Sequence, residues 1–372
     1  VRILVDYRAA LRERTGVGEY VDQATRALID TAPPGESLVL FSASWKDRLS
    51  PAAVPRAHTA DRRVPVRLLN LLWHRLEWPP VEWLAGAGID VAQSMHPILL
   101  PTRRAARLVT VHDLDFLDHP ERTRAEIRRD YPSLTPSHVQ RADRVVVVSE
   151  HTAREVERRL HVARTRISVC PPGVPAWSRR EAEPAEGGYV LFLGTLEPRK
   201  NVGLLLDAYE RLLARRPDAP RLVLAGRVTP EAEPTVARAR RPPLAGHVET
   251  LGYVQPNDRL PLFRGALAFV LPSHTEGFGM PAVEAMMAGV PVLAANRGAL
   301  PQSVGSGGRL IDALDPDAWA RALDELLGDA ALRRRLSEDG RRHAEQFSWR
   351  STALGLREAW ALALEERARR HA

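Results

Sequence analysis

Leu271-Pro-Ser-His-Thr-Glu276-Gly-Phe-Gly-Met-Pro-Ala-Val-Glu284-Ala-Met-Met-Ala-Gly289 carries an apolar run into a glycine-containing loop, then into a helical pattern that stops at glycine. Pro281 suits the first position of that helix and Gly289 its end. The amides of Gly277, Phe278, Gly279 and Met280 then converge just before a helix N-terminus, where unpaired N–H groups and the macrodipole attract anions such as phosphate. Glu276 falls in the loop and Glu284 in the first turn. A carboxylate at either place can accept hydroxyl hydrogen bonds from a sugar. From spacing alone, the alternative stays open that Glu284 only complements the dipole and Glu276 only fixes the loop.

Working outward, short β-branched runs alternate with helical patterns, the mark of parallel sheets with crossover helices. Strands are expected at 1–5, 37–41, 89–93, 107–111, 144–148 and 166–169, and again at 189–194, 221–226, 248–252, 267–271, 290–294 and 309–311. Helices are expected near 202–215, 257–264, 281–288 and 316–328. Cys170-Pro-Pro-Gly-Val-Pro175 and the polar stretch through Gly187-Gly188 interrupt the rhythm. This predicts an α/β chain of two doubly wound domains at 1–172 and 189–346, a linker at 173–188 and a tail at 347–372. Two such domains facing each other bring the carboxyl ends of both sheets to one cleft.

Composition agrees with an enzyme of this size. The 372 residues are 44% hydrophobic and 27% charged, which excludes disordered and fibrous classes. Apolar runs reach about six residues against the ~20 that span a bilayer. The first residues read as a strand rather than a signal peptide, so a cytoplasmic location is expected. The single cysteine, Cys170, excludes an internal disulfide and a cysteine-based zinc site. The net charge of +7 comes from a chain with only two lysines, Lys46 and Lys200. Arginine clusters such as 333–335 and 341–342 sit in helical patterns with acids between them. They read as solvated faces rather than a nucleic-acid surface. The basic surface and Arg62-Arg63 leave room for peripheral contact with the inner membrane face.

Six further segments match, in order, a known pattern: Thr15-Gly-Val-Gly18, Val111-His-Asp-Leu114, Ala142-Asp-Arg-Val-Val-Val-Val-Ser149, Pro171-Pro-Gly173, Leu193-Gly-Thr-Leu-Glu-Pro-Arg-Lys-Asn201 and Phe347-Ser-Trp349. With the Glu276/Glu284 pair they make the chain resemble the retaining family 4 glycosyltransferases of GT-B fold, in the branch that includes mannosyltransferases of O-antigen assembly. The resemblance covers nearly the whole chain. It implies a Rossmann-like fold for both domains, with a last helix returning to the first.

By that resemblance Glu276 lies beside the donor sugar, Glu284 holds the nucleotide ribose, and the amides of Gly277, Phe278 and Gly279 meet sugar and diphosphate. Lys200 matches the lysine that neutralises the leaving diphosphate. The family's arginine five residues earlier is Thr195 here. Either the adjacent Arg199 supplies the second cation from another direction, or the lysine acts alone. His112, after an apolar strand, takes the place of a histidine near the donor sugar. Gly16 and Gly18 belong to a loop that approaches donor phosphate or acceptor, although Glu19 stands where an arginine is usual; it either points away or meets an acceptor hydroxyl. Gly226-Arg227 and Tyr253-Val254 end two strands on the base-binding side. Asn296-Arg-Gly-Ala-Leu-Pro-Gln302 resembles a segment outside the site, with a structural role.

The implied reaction moves a hexose from a nucleoside-diphosphate sugar to a hydroxyl of a saccharide, glycolipid or natural-product acceptor, with retention, no cofactor and no essential metal. Asp113, Asp115 and Asp118 offer a competing metal reading. An epimerase, a phosphorylase or a silent nucleotide-sugar scaffold are the rival functions. Leu71-Leu-Trp-His-Arg-Leu-Glu-Trp-Pro-Pro-Val-Glu-Trp83 reads first as a helix packed in the N-terminal core, and second as an aromatic face for sugars or a membrane interface.

Overall fold

The computed structural model describes residues 1–11, 14, 16–123, 125–184, 187–312 and 314–371. Thr15 of the first glycine motif and residues 185 and 186 of the expected linker lie outside them. The chain divides into two compact units, Val1–Gly173 with Ser348–Ala372, and Val174–Phe347. They are called the N-terminal and C-terminal units below.

The N-terminal unit is built on β1 (Arg2–Asp6), β2 (Ser37–Ala43), β3 (His58–Arg62), β4 (Val91–Ser94), β5 (Ala106–Val111), β6 (Arg144–Val147) and β7 (Ile167–Val169), in the order β3-β2-β1-β4-β5-β6-β7. All pairs are parallel. Such sheets are covered on both faces, which is why strands like Ile3-Leu-Val5 and Val145-Val-Val147 read as unbroken apolar runs and are fully buried. The strand β3 was not expected. Its sequence, His-Thr-Ala-Asp-Arg, has no apolar run because it is an edge strand with β2 as its one neighbour in the sheet.

The C-terminal unit holds β8 (Tyr189–Leu193), β9 (Leu222–Ala225), β10 (Val248–Gly252), β11 (Ala266–Leu271), β12 (Val292–Ala295) and β13 (Arg309–Ile311), in the order β10-β9-β8-β11-β12-β13. The same doubly wound order thus appears twice. In each sheet the chain turns to opposite sides after two adjacent strands, β1 and β4 in one, β8 and β11 in the other. The loops after these strands diverge and leave a crevice, the place where ligands of such sheets bind.

Residues 174–184, expected as free linker, are instead part of the C-terminal unit. Val174 N–H donates to Phe347 O (3.3 Å), Arg180 N–H to Ala288 O (3.3 Å), and the Trp177 ring packs 5.8 Å from Phe263. The last helix, Trp349–His371, belongs to the N-terminal unit. Its Arg357 pairs with Glu36 (2.9 Å), Trp360 Nε1–H donates to Gln93 (3.1 Å) and Thr352 to Pro171 O (2.6 Å). Gly173 has to be glycine, because a Cβ there would lie 2.0 Å from Trp349 N.

Candidate active site

Lys200 closes the short turn Pro198–Lys200 that follows β8 and is only 8% exposed. Glu276 lies in the loop after the neighbouring β11 and is 5% exposed. The divergence of chain direction brings them together: Lys200 Nζ donates to Glu276 Oε1 at 2.5 Å, and Ser273 Oγ–H to the same oxygen at 2.6 Å. Arg199 Nη1 donates to Glu276 Oε2 at 3.2 Å and to Thr275 O at 3.0 Å, while Arg199 Nη2 meets Glu197 at 2.8 Å. Burial by itself raises the Glu276 carboxyl. The Lys200 ammonium and Arg199 guanidinium outweigh it and hold the group down at about 2, so Glu276 is an anion that can only accept hydrogen bonds.

The Glu276 loop is braced from behind. Ala299 N–H donates to Glu276 O (3.0 Å), and a Cβ on Gly298, whose φ is +59°, would lie 2.7 Å from Glu276 N. The segment 296–302 therefore supports the site without facing it. Gly279 caps the helix Met280–Met287 with φ +91°, and a Cβ there would strike Leu300 at 2.6 Å. Left-handed backbone of this kind suits glycine and lets the amides around Phe278 turn toward the helix start. The Phe278 ring itself packs edge-on against Phe347 at 5.2 Å, so its offering to a ligand is its backbone.

The helix starts at Met280, one residue earlier than the sequence suggested, so Glu284 is buried at the start of its second turn rather than in the first, too far in to act as a simple dipole complement. Its Oε1 accepts from Arg259 Nη1 at 3.0 Å. Arg259 opens the helix Arg259–Arg264, a few residues beyond Tyr253 and Val254, which are half-buried in the loop after β10. Gly226 and Arg227 follow β9. Gly226 takes φ +140° because a Cβ would run into Gly194 O, so its first duty is to let two strand ends pass.

In the N-terminal unit His112 follows β5. Its Nε2–H donates to Met95 O (3.1 Å), its ring stands edge-on to Tyr20 at 5.0 Å, and Thr152 donates to its carbonyl (3.3 Å). Burial lowers the imidazole pKa, and the bond to Met95 leaves Nδ1 as the acceptor nitrogen. Gly16 and Gly18 start the helix Gly16–Asp30. A Cβ on Gly18 would lie 2.7 Å from Ala9 O, so the helix packs on the preceding turn through that gap. Glu19 points away into its own helix, where it accepts from Gln23 (2.9 Å). Of the three aspartates, Asp113 accepts from the Asp115 amide (3.2 Å) and Asp118 pairs with Arg159 (2.6 Å). Lys46, the other lysine, is exposed.

Comparison with known proteins gives the family and the fold. Residues 14–178 match the family described as Glycosyltransferase Family 4, and residues 174–343 match Glycosyl transferases group 1. The O-antigen chain mannosyltransferase B of Escherichia coli is 33% identical over 263 residues, covering 67% of this chain and 68% of that protein. The chain belongs to glycosyltransferase family 4. A D-inositol 3-phosphate glycosyltransferase of Thermobispora bispora is 34% identical over 243 residues, 60% of this chain and 57% of its own length. The structure of sucrose-phosphate synthase from Thermosynechococcus elongatus superposes with a TM-score of 0.77 at 20% identity, covering 97% of this chain and 98% of that one, which establishes a shared GT-B fold.

Within this glycosyltransferase, Lys200, Arg199 and Glu276 form one cluster, and Glu284 stands on the helix that the Glu276 loop leads into. Sequence reading missed Ser273, Arg259 and Gly298. Ser273 sits three residues before Glu276 and was readable as a local partner. Arg259 and Gly298 are remote in sequence and act through the fold.

Proposed function

We propose that this glycosyltransferase moves a hexose, mannose-like or glucose-like, from a nucleoside-diphosphate sugar to a hydroxyl of a saccharide, glycolipid or natural-product acceptor, with retention of configuration. The observation that carries the reading is the pairing of two cations, Lys200 and Arg199, on one buried carboxylate beside the glycine-capped helix at Met280. Breaking the anomeric C–O bond builds negative charge on the diphosphate, and cations fixed in place beforehand stabilise it without reorganisation. Arg199 takes over the duty of the arginine that Thr195 replaces. With Lys200, Arg199 and the amides of Gly277, Phe278, Gly279 and Met280 supplying countercharge, neither an essential metal nor a cofactor is required.

In this reading Glu284 accepts from the ribose hydroxyls and Glu276 from the transferred sugar. Gly226, Arg227, Tyr253 and Val254 border the base. His112 attends the sugar as a neutral acceptor, and the Gly16–Gly18 turn meets phosphate or acceptor. Attack and departure occur on one face: the anomeric C–O bond to phosphate breaks, the bond to the acceptor oxygen forms, and the acceptor's proton passes to the departing phosphate oxygen. The names of the two relatives, one acting in O-antigen chains and one on inositol 3-phosphate, support a hydroxyl acceptor of the saccharide or polyol class. The test is a panel of nucleoside diphosphates and their sugar conjugates, first by thermal shift with and without magnesium, then by NMR of the product. A metal-independent shift and a product with the donor's anomeric configuration are expected. Inverted product, or binding that appears only with magnesium, overturns the corresponding part.

A further inference from the structure

The helix Val66–Leu76, Val-Arg-Leu-Leu-Asn-Leu-Leu-Trp-His-Arg-Leu, has two working faces. On one, Leu69 and Trp73 are buried under β2, with Trp73 5.6 Å from Phe41, and Asn70 and His74 bond Arg8 and Asp130, each at 3.0 Å. On the other, at the spacing that stacks residues on one helix face, stand Leu68, Leu71 and Arg75. Leu68 is 48% exposed, Leu71 54% and Leu76, at the helix end, 66%. The chain then turns through Trp78 and Trp83, both more than half exposed and set edge to face at 6.2 Å. Five of the nine large apolar side chains exposed among the described residues lie in this one stretch, so they form a patch rather than a scatter.

Arginines dominate the charge around the patch. Arg62, Arg63, Arg67, Arg75 and Arg104 are exposed there, and the Arg103 guanidinium lies 6.0 Å from the Trp83 ring. The helix contains no acid. The two nearby glutamates are engaged elsewhere: Glu77 pairs with Arg141 (2.5 Å), and Glu82 accepts from the amides of Arg103, Arg104 and Ala105 (2.8, 3.1 and 3.3 Å). Leucines and tryptophans ringed by arginines match a surface that lies in a lipid headgroup region, apolar groups entering the acyl boundary and guanidinium groups meeting phosphate.

We propose that the outer face of helix Val66–Leu76, with Trp78 and Trp83, docks this protein on an anionic bilayer surface. Among the described residues no helix is long and apolar enough to cross a membrane, so the contact is peripheral. It uses residues apart from those assigned to catalysis, and the core reading of the tryptophan-rich segment holds for Trp73 and Val81 but not for Trp78 and Trp83.

Flotation of the full chain with vesicles of phosphatidylcholine, and of phosphatidylcholine mixed with phosphatidylglycerol, tests it. Binding to the mixed vesicles, released by high salt, is expected. The pair Leu68→Ser and Leu71→Ser, and separately Arg63→Glu with Arg75→Glu, should each weaken it by at least about tenfold. All four side chains are exposed, and an unchanged unfolding midpoint separates lost docking from lost fold. Failure to bind either vesicle overturns the proposal, as does equal, salt-insensitive binding to both. A doubled mass in solution that the leucine pair restores to monomer, without vesicle binding, also overturns it in favour of pairing between two copies.

Discussion

Lys200 Nζ lies 2.5 Å from Glu276 Oε1, and Arg199 reaches the other oxygen of that carboxylate. Two cations adjacent in sequence would repel one another in a buried loop. Glu276 gives both a partner and fixes their direction before any substrate arrives. On the proposed reading, the charge that a leaving diphosphate needs is assembled in advance, and the carboxylate that assembles it is the group assigned to the sugar.

Replacing Lys200 by methionine keeps the length of the side chain and removes the charge. Turnover should fall on the order of 10² to 10³-fold, the usual effect of losing one preorganised electrostatic partner at a developing anion. Donor binding should change less than kcat. Steady-state kinetics with saturating donor decides it, and a kcat equal to the parent's refutes the role of Lys200.

Acid should release the same cluster. Glu276 is depressed from the ordinary 4.5 to about 2 in the fold, so its contribution is fully present above 4.5 and is lost as pH falls toward 2. That shift corresponds to roughly 3 kcal/mol. Asp6, held low by Arg8 and His96 despite the opposing effect of burial, has the same sign. Denaturant unfolding of the parent and of Glu276→Gln at several pH values should show a stability gap that closes between pH 5 and pH 2.

Arg259 orients Glu284 through the 3.0 Å bond. Arg259→Met should weaken nucleoside-diphosphate binding by about tenfold, the worth of one charge-assisted hydrogen bond, and Glu284→Gln by a similar or larger factor. Calorimetric titration measures both. An additive double variant would show that the two residues act separately.

The proposed role of His112 needs a neutral ring. Burial lowers its pKa, so the fold favours the neutral form, and this stabilisation fades as pH drops through the folded value. The acid limb of kcat/KM that belongs to His112 should lie below the ordinary imidazole value of 6.5. NMR titration of the ring protons in parent and His112→Gln assigns it.

Gly298→Ala tests the brace behind the site. The added methyl would press on Glu276 N from a left-handed backbone, so the loop must move. A fall in kcat of tenfold or more, with retained nucleotide binding at Glu284, is expected from assays of each.

The parallel sheets were readable because buried strands such as Tyr189–Leu193 and Ala266–Leu271 are apolar throughout. The edge strand His58–Arg62 was not, since polarity there protects an open edge and erases the signal. Glu276, Glu284 and Lys200 stood out through glycine spacing and lysine scarcity. Arg259 and Gly298 left no local trace because their significance lies in contacts across 25 and 22 residues. The tryptophan-rich helix was half legible: its periodicity announced a buried face, but two apolar faces on one helix look alike in one dimension.

The scarcity of lysine also has a practical side. Apart from the α-amino group, the molecule offers amine-directed reagents one exposed lysine, Lys46 in the N-terminal unit, and one that is buried and ion-paired, Lys200. A surface this basic would ordinarily be decorated at many points by an acylating dye or a coupling resin. Here guanidinium groups carry the charge and stay unreactive, so lysine-directed coupling falls on the N-terminal unit while the C-terminal unit remains chemically untouched.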